Sequence, residues 1–448
     1  MITKDKRTEI EPASSSLITS DSSQHIPITT AIWREALLPY LGTRGMLILV
    51  GLLAQFYILP LLKSNPVLPS VAMNTHFPDA LWLMWKRFDS GFYVDIAQHG
   101  YWPASTLRTA SDWIFLPLYP MLILPFGYLF GHSDAGFNIA SVLVSNAAAV
   151  VTIIYLYLLI RREFSSRVAS RTVIYLALFP TSFYLSAVYP ESLFLACAIA
   201  CIYYARQRRW WLAGISGGLA SLARIQGLVL VVPIAWEYWQ MLSDRYAPLP
   251  EMSKMTFLER GDAWLHSRVH GLVLAAREVR NWFSLLAIAL IPLGLVPFLI
   301  YSEIKTGDFL ATIHNHHVGW GRYFEYPWQL LMTALSHPEP PNPLDWNFWL
   351  LNIIVIVAFL AFTVWSFRRL PMIYALYTLV MVLMPLATSS INSISRYYLI
   401  VFPAMILLAL WSSSGKEGSK RNFLITSLFT SLLAVFMIFF VLGLPIIA

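Results

Sequence analysis

The sequence predicts an all-α, polytopic membrane protein. Of its 448 residues, 57% are hydrophobic and only 12% are charged. The mean hydropathy is +0.61, and apolar runs of membrane-spanning length recur along the chain. This composition excludes an ordinary soluble domain and favours a single bundle of transmembrane helices.

The N-terminal 40 residues differ from the rest of the chain in composition. Residues 1–40 are polar and rich in Ser and Thr, and they contain no apolar core typical of a cleaved signal. We therefore expect a mobile cytoplasmic tail, followed by a membrane domain over 41–448 that is inserted by its own first span.

Apolar runs long enough to cross a bilayer divide the membrane domain. They lie at 45–62, 138–160, 171–189, 191–205, 224–240, 283–304, 347–367, 371–388, 397–411 and 423–446. Two further segments are ambiguous, because 113–130 contains three prolines and 211–223 is short and glycine-rich. Each either crosses the membrane or re-enters, so we expect about 10–12 transmembrane helices.

The basic residues predict the topology. The net charge of +7 arises from 31 Lys and Arg against 24 Asp and Glu. In a membrane protein Lys and Arg gather in cytoplasmic loops, and topology explains this excess better than nucleic-acid binding. A cytoplasmic N-terminus makes 241–282 an inner loop, containing either a membrane-surface amphipathic helix or a hairpin. It makes 63–137, with short interfacial helices, and 305–347 outer loops.

The polar clusters that have the composition of a reactive site all fall on the outer face in this topology. These clusters are the loop around Asp89, the segment Tyr189–Glu191, Arg224, the interval 305–347 and Arg396. Five separate regions on one face predict one shared site.

Asp89 has two interpretations. On a helical wheel it lies within a face formed by Trp82, Trp85, Phe88, Phe92, Tyr93 and Ile96. A carboxylate in such surroundings must be desolvated, paired or used in chemistry. Alternatively, Asp89 caps a helix that begins at Ser90. Asp95 falls on the opposite side of the wheel, and we expect it to be solvated.

A histidine cluster and two cysteines raise the question of a metal. His314, His316 and His317 precede Trp320 and Arg322 on the predicted outer loop. The cluster forms a metal site, a lid over the reactive site or an interfacial aromatic belt, and the lid is the favoured interpretation because no acidic partner follows at a ligand spacing. The cysteines, Cys197 and Cys201, are four residues apart on an apolar run, which indicates simple packing.

Five segments of the chain carry distinctive motifs: FDSGFYVDIAQHGY at 88–101, FLPLYP at 115–120, ALFPTSFYLSAVYPESLF at 177–194, GGLASLARIQGLVL at 217–230 and SRYYLIVFPA at 395–404. These motifs resemble those of the PIG-V family of mannosyltransferases, which have the GT-C architecture and use a polyprenyl-phosphate sugar donor. The resemblance implies a GT-C-type helical bundle. It also implies inverting transfer of mannose or a related hexose to a lipid or glycan acceptor, without a required cofactor or metal.

This chemistry assigns expected roles to individual residues. Asp89 is the expected base, and desolvation by aromatic rings would strengthen it. Arg224, Arg396 and Arg322 are the expected phosphate ligands, although an arginine near a helix end also snorkels to lipid headgroups. Side chains expected to contact sugar or acceptor are Glu191, Tyr189, Trp85, Tyr93, His99 and Trp320. Glu191 alternatively pairs with an arginine or favours its helix dipole.

Two other classes of function compete with this hypothesis. A secondary transporter or lipid flippase also has many helices interrupted by Gly and Pro, but places ionisable groups near the bilayer centre. A membrane acyl- or phosphotransferase requires a nucleophile within a span. The sequence contains no glycine-rich phosphate loop, which disfavours a nucleotide-sugar donor. The expected location is the plasma membrane of a bacterium or the endoplasmic reticulum of a eukaryote.

Overall fold

The computed structural model describes residues 27–62, 76–102, 112–248, 257–336 and 343–444. Most residues in these ranges are helical, and none of the described residues forms a β-strand. An isolated antiparallel bridge pairs Phe324 with Thr388. The prediction of an all-α membrane fold is confirmed.

Nineteen helical segments are numbered here in chain order, with contiguous α and π turns combined in the first. They are α1 (Ile28–Leu61), α2 (Ala80–Leu83), α3 (Ser90–His99), α4 (Leu118–Leu129), α5 (Asp134–Glu163), α6 (Ser166–Leu178), α7 (Glu191–Arg206), α8 (Trp210–Ala223), α9 (Val231–Tyr246), α10 (Phe257–Ala275), α11 (Val279–Leu293), α12 (Val296–Thr306), α13 (Ala311–Trp320), α14 (Pro327–Ser336), α15 (Pro343–Arg369), α16 (Met372–Leu386), α17 (Ile394–Tyr397), α18 (Pro403–Ser413) and α19 (Gly418–Val441).

Five helical stretches within the described ranges are long and apolar enough to cross a membrane. They are α1, α5, the joined pair α11 and α12, the stretch Trp349–Arg369 of α15, and α19. The segments Ile394–Ile400 and Pro403–Ser413 form a sixth candidate that bends by 72°. Several other predicted spans are helices of 13 to 16 residues, such as α6 and α7. These shorter helices end at turns, where polar side chains meet.

The first helix begins earlier than the sequence predicts. Residues 28–40, expected to belong to a mobile tail, are helical and continuous with the first span. Ala31, Ala36 and Tyr40 are buried on this helix. The carboxylate of Glu35 accepts a hydrogen bond from Tyr157 at 2.8 Å, which explains why this stretch is ordered. Residues 1–26 lie outside the described residues.

Glycines of α8 allow it to pack closely against its neighbouring helices. The ambiguous segment 211–223 is helix α8, which packs between α7 and α11. A Cβ added at Gly214 would collide with the carbonyl of Ala287, and one at Gly218 would lie 2.8 Å from the carbonyl of Leu290. Small residues therefore permit the backbone contact that holds α8 in place.

The region around Asp89 contains two short helices, not one long helix. α2 ends at Leu83, α3 begins at Ser90, and Phe88 between them has a positive φ of 53°. The continuous helical face predicted from Trp82 to Ile96 is therefore wrong, because the chain turns within it. The helix does start where the capping interpretation placed it, but the Asp89 side chain makes no capping hydrogen bond.

Both long loops contain further helices. The inner loop predicted at 241–282 contains α10, whose exposed apolar residues include Leu265, Val269 and Val273. The outer loop predicted at 305–347 contains α13 and α14. The segment after α13 lies antiparallel to the chain after α16, and the Ser389 N–H donates to the Tyr323 carbonyl at 3.1 Å. This pairing fixes Arg322 over the end of the bundle.

Candidate active site

A polar cavity of about 130 Å³ collects side chains from distant parts of the chain. The lining residues that carry its polarity are Asp89, Tyr93, Arg224, Gln226, Thr312, His316, Trp320, Arg322, Ser393, Arg396 and Tyr397. Four of the five predicted regions line it directly. The fifth contributes Glu191, which lies directly behind two of the arginines. The structure thus brings all five regions together.

Asp89 lies on the cavity wall just before the first turn of α3. Its Oδ2 is 3.7 Å from Nη1 of Arg396, and its side chain is 32% exposed. The carboxylate is therefore beside a cation and open to the cavity, and it is not enclosed by aromatic rings alone as the sequence predicted. This placement leaves it accessible to a hydroxyl group that enters the cavity.

Glu191 organises two of the three arginines. It is the first residue of α7, fully buried, and its Oε1 accepts a very short hydrogen bond from Nη1 of Arg224. The same oxygen lies 3.5 Å from Nε of Arg396. Pairing with both arginines at a helix N-terminus explains its burial. The alternative role of binding an acceptor is not supported, because the side chain is 0% exposed.

Arg322 differs from the other two arginines in its partners. Nη1 of Arg322 donates to the hydroxyl of Tyr397 at 2.8 Å, and Nη2 donates to the carbonyl of Asn392 at 2.9 Å. No carboxylate among the described residues lies within ion-pair distance of it. Arg322 is therefore the cation of this cavity whose charge the described side chains leave unneutralised.

Aromatic rings form the apolar side of the cavity. Trp320 and Tyr93 line it, and the Trp320 ring lies edge-on to Phe92 and Phe115 at 5.8 and 5.7 Å. Phe92 stacks on Phe115 at 4.8 Å. Burial raises the pKa of the Tyr93 phenol well above its usual value, so this hydroxyl stays protonated. Flat apolar surfaces beside polar groups suit a sugar ring.

Besides Glu191, three more of the expected sugar ligands do not line this cavity. Trp85 is 3% exposed within the core. Tyr189 packs against the Arg396 guanidinium, 5.1 Å from ring centroid to Cζ, and its hydroxyl donates to the Arg87 carbonyl at 2.8 Å. His99 lies at the exposed far end of α3, where it pairs with Asp95 at 2.9 Å. The break before α3 accounts for the placement of Trp85, because it redirects the side chains that precede it.

Asp95 has a structural role. Its Oδ2 accepts a hydrogen bond from the Trp102 indole at 2.6 Å, while Oδ1 contacts His99. It is not among the residues that line the polar cavity. Asp95, which lies within α3, therefore differs in position from Asp89, which immediately precedes that helix.

The three histidines separate in the structure. His316 lines the cavity, whereas His314 pairs with Asp308 at 2.8 Å and the His317 ring approaches Tyr323 at 6.0 Å. Burial, assisted by the nearby Arg322, lowers the pKa of His316 to about 4. Within the described ranges, no three His, Cys, Asp or Glu side chains are grouped as metal ligands.

Four polar residues of the cavity lining were not predicted as site residues, namely Gln226, Thr312, Ser393 and Tyr397, and two of these contact the arginines. Tyr397 lies between the arginines, and the Gln226 side chain accepts from Nε of Arg224 at 3.3 Å. Both follow a predicted arginine by one or two positions. That proximity, and their place within two of the quoted motifs, are the signals in the sequence that point to them.

A second, apolar cavity of about 370 Å³ adjoins the polar one. Its lining residues are Ile96, Ala97, Gly100, Tyr101, Pro117, Pro120, Met121, Leu124, Leu222, Pro297, Phe298 and Tyr301. Leu116 and Ala223 line the polar cavity, and their chain neighbours Pro117 and Leu222 line the apolar one. The two cavities are therefore neighbours, one lined by arginines and the other by apolar side chains.

Comparisons with known proteins find sequence similarity over part of the chain. Residues 116–250, which include Glu191 and Arg224, match the family model for dolichyl-phosphate-mannose-protein mannosyltransferase. GPI mannosyltransferase 2 of Schizosaccharomyces pombe is 28% identical over 151 residues. That alignment covers 33% of this chain and spans only 31% of the relative's length.

Two solved structures are distantly similar. ArnT from Cupriavidus metallidurans, bound to undecaprenyl phosphate, has a TM-score of 0.44 and 13% identity, covering 81% of this chain and 75% of its own. An Archaeoglobus fulgidus oligosaccharyltransferase, tethered to an acceptor peptide, has a TM-score of 0.39 and 14% identity, covering 91% and 55%. The resemblance to GT-C mannosyltransferases that the sequence predicts is confirmed over the residues that these two sequence matches cover. The two structural similarities add nothing to that conclusion.

Proposed function

We propose that this chain is an integral-membrane glycosyltransferase. It moves mannose or a related hexose from a polyprenyl-phosphate donor to a hydroxyl of a lipid or glycan acceptor on the outer face. The observation that carries the proposal is the polar cavity, where one accessible carboxylate, Asp89, faces a cluster of three arginines. Inverting transfer to an alcohol needs one base and one site for a leaving phosphate.

The reaction is a single displacement at the anomeric carbon. The acceptor oxygen forms a bond to that carbon as its proton passes to an Asp89 oxygen. The bond from the carbon to the phosphate oxygen breaks, and the electron pair stays on the departing lipid phosphate. A positioned base of this kind contributes on the order of 10²- to 10⁴-fold to the rate.

The arginines stabilise the negative charge that develops on the phosphate. The buried carboxylate of Glu191 holds Arg224 and Arg396 in position before substrate arrives. Such preorganised cations lower the barrier more than mobile ones, because they need no rearrangement during the reaction. Arg322 completes the cluster and supplies the positive charge that is not already neutralised.

The apolar cavity suits the isoprenoid chain of the donor. Its volume of about 370 Å³ lies within the range of ordinary ligand sites. Apolar side chains beside a cationic cluster match a molecule that joins hydrocarbon to phosphate. Burial of each CH₂ group of the chain contributes roughly 0.8 kcal/mol to binding.

The test is a transfer assay in liposomes with labelled polyprenyl-phosphate mannose. Asp89→Asn should lower kcat by roughly 10²- to 10⁴-fold. Asp95→Asn is the matched control, because it makes the same chemical change at a carboxylate outside the polar cavity. Asp95→Asn should therefore keep near-normal turnover.

Two outcomes would reject the proposal. One is equal transfer by wild type and Asp89→Asn. The other is wild type that moves the labelled lipid between leaflets without forming a glycosidic product, which is the behaviour of a flippase.

A further inference from the structure

Tyr397 lies at the centre of the arginine cluster. The Cζ atoms of Arg396, Arg322 and Arg224 lie 5.2, 5.4 and 5.5 Å from the centroid of its ring. A ring face attracts cations, and a position among three of them keeps the phenol fixed. The tyrosine also lines the polar cavity.

The hydrogen bonds of Tyr397 leave one position open. A phenol accepts through its oxygen and donates its single hydrogen. Nη1 of Arg322 donates to that oxygen at 2.8 Å, which engages it as an acceptor. Within the described part of the chain, its own hydrogen has no acceptor. The hydroxyl is therefore available to donate into the cavity.

The charges of the cluster favour an anion at the same place. Arg396 approaches both Asp89 and Glu191, and Arg224 approaches Glu191. Among the residues that the structure describes, the acceptors of Arg322 are the phenol oxygen and a backbone carbonyl. An entering anion therefore gains most beside Arg322 and Tyr397, where it does not compete with a carboxylate.

We propose that the Tyr397 hydroxyl, together with Arg322, binds a non-bridging oxygen of the donor phosphate and stabilises it as it leaves. This inference rests on the proposed function for the identity of the phosphate. The phenol keeps its proton throughout and only donates a hydrogen bond, while the bond between the anomeric carbon and the phosphate oxygen breaks. That hydrogen bond strengthens as negative charge develops.

The test compares Tyr397→Phe with wild type in transfer and in binding. The substitution keeps the ring that the guanidiniums contact and removes only the hydroxyl. We expect a roughly 10- to 100-fold fall in kcat, within the range for loss of one hydrogen-bond donor to a charged oxygen. The affinity for polyprenyl phosphate should fall, whereas the affinity for polyprenol of equal length should not change.

The neighbouring Tyr398→Phe is the matched control. The Tyr398 hydroxyl is buried and donates to the Val382 carbonyl at 3.1 Å, away from the polar cavity. Tyr398→Phe should keep normal kcat and normal affinity for polyprenyl phosphate. Equal losses in the two variants would indicate a structural effect and overturn the inference.

One further measurement is competition by inorganic phosphate. It should inhibit transfer by wild type much more weakly than polyprenyl phosphate does, because the lipid chain supplies most of the binding. Unchanged kcat and lipid-phosphate affinity in Tyr397→Phe would overturn the inference while the proposed function stands. Wild type that transfers no sugar but binds lipid phosphate through Tyr397 would reject the function and keep the anion site.

Discussion

The three arginines of the polar cavity look equivalent in the sequence but have different partners in the structure. Arg224 and Arg396 share one buried carboxylate, Glu191, whereas Arg322 contacts only neutral acceptors. A buried carboxylate that loses its partner is costly, because its desolvation is no longer compensated. The first two arginines therefore contribute to both stability and binding, and Arg322 mainly to binding.

Replacing these arginines should separate the two contributions. We expect Arg322→Gln to raise the donor KM roughly 10- to 100-fold, because a charge-assisted contact is lost. Arg224→Gln should lower the free energy of unfolding by about 3 kcal/mol, because the buried Glu191 then loses its hydrogen-bonded partner and keeps only the longer contact with Arg396 at 3.5 Å. Thermal unfolding in detergent, measured beside donor kinetics, tests both. A larger loss of stability in Arg322→Gln would contradict this division of roles.

His316 should affect stability at acidic pH. Its pKa is lowered from 6.5 to about 4 by burial and by Arg322, so the ring is neutral between pH 5 and 8. Its contribution to stability is fully present above pH 6.5 and is lost as the pH falls through about 4. We expect the melting temperature of His316→Gln to decrease less than that of wild type between pH 6.5 and 4. Identical slopes in wild type and variant would contradict this expectation.

At the scale of helices, the sequence could predict where helices lie better than where they turn. Hydrophobic periodicity found the apolar runs, because burial against lipid and neighbouring helices follows that pattern. Periodicity alone could not find the turn at Phe88, a non-glycine residue with positive φ, whereas the capping interpretation of Asp89 did place a helix start at Ser90. Trp85 therefore lies in the core, while Asp89 reaches the cavity.

The apolar cavity gives helix α4 a testable role in recognising the donor chain. Met121 lines this cavity and is 61% exposed, so a larger side chain there fills the cavity without entering the core. We expect Met121→Trp to raise KM several-fold for long-chain donors and much less for a short-chain donor, because each excluded CH₂ loses roughly 0.8 kcal/mol. Kinetics with donors of graded chain length provide the measurement.

The control for this prediction lies on the same helix. Leu129 is 73% exposed and is not among the residues that line the apolar cavity. Leu129→Trp adds the same bulk and should leave the dependence on chain length unchanged. If both variants weaken long-chain donors equally, the apolar cavity does not hold the chain.

At the scale of the whole molecule, helix α7 has a buried charge network at each end. Glu191 at its start contacts Arg224 and Arg396. Arg206 at its end bonds Glu163 at 2.6 Å and Glu237 at 2.8 Å, which joins α5, α7 and α9. The helix has 16 residues, so its ends are about 24 Å apart. The network at the far end therefore contributes to packing and not to the cavity chemistry.

The convergence of five separate regions could be predicted from the sequence by assigning them all to one face of the membrane, and the structure brings the five together, while the face itself stays a prediction. The assignment relied on charge asymmetry across a membrane, a property of the whole chain, and it brought Asp89, Arg224 and Arg396 into one prediction before any contact was known. The partners of each residue could not be predicted in this way. Pairing of Glu191 with Arg224, or of Arg322 with Tyr397, depends on how helices cross, which no single segment encodes.

The predicted orientation can be tested by labelling single cysteines. Asn392 is exposed beside Arg322, and Lys416 is exposed in the turn after α18. With Cys197 and Cys201 replaced by Ala, we expect Asn392→Cys to react with an impermeant maleimide only from outside. Lys416→Cys should react only after permeabilisation, because basic residues between spans remain in the cytoplasm. Labelling of Asn392→Cys from the cytoplasmic side would invert the topology, and the acceptor would then have to reach Asp89 from within the cell.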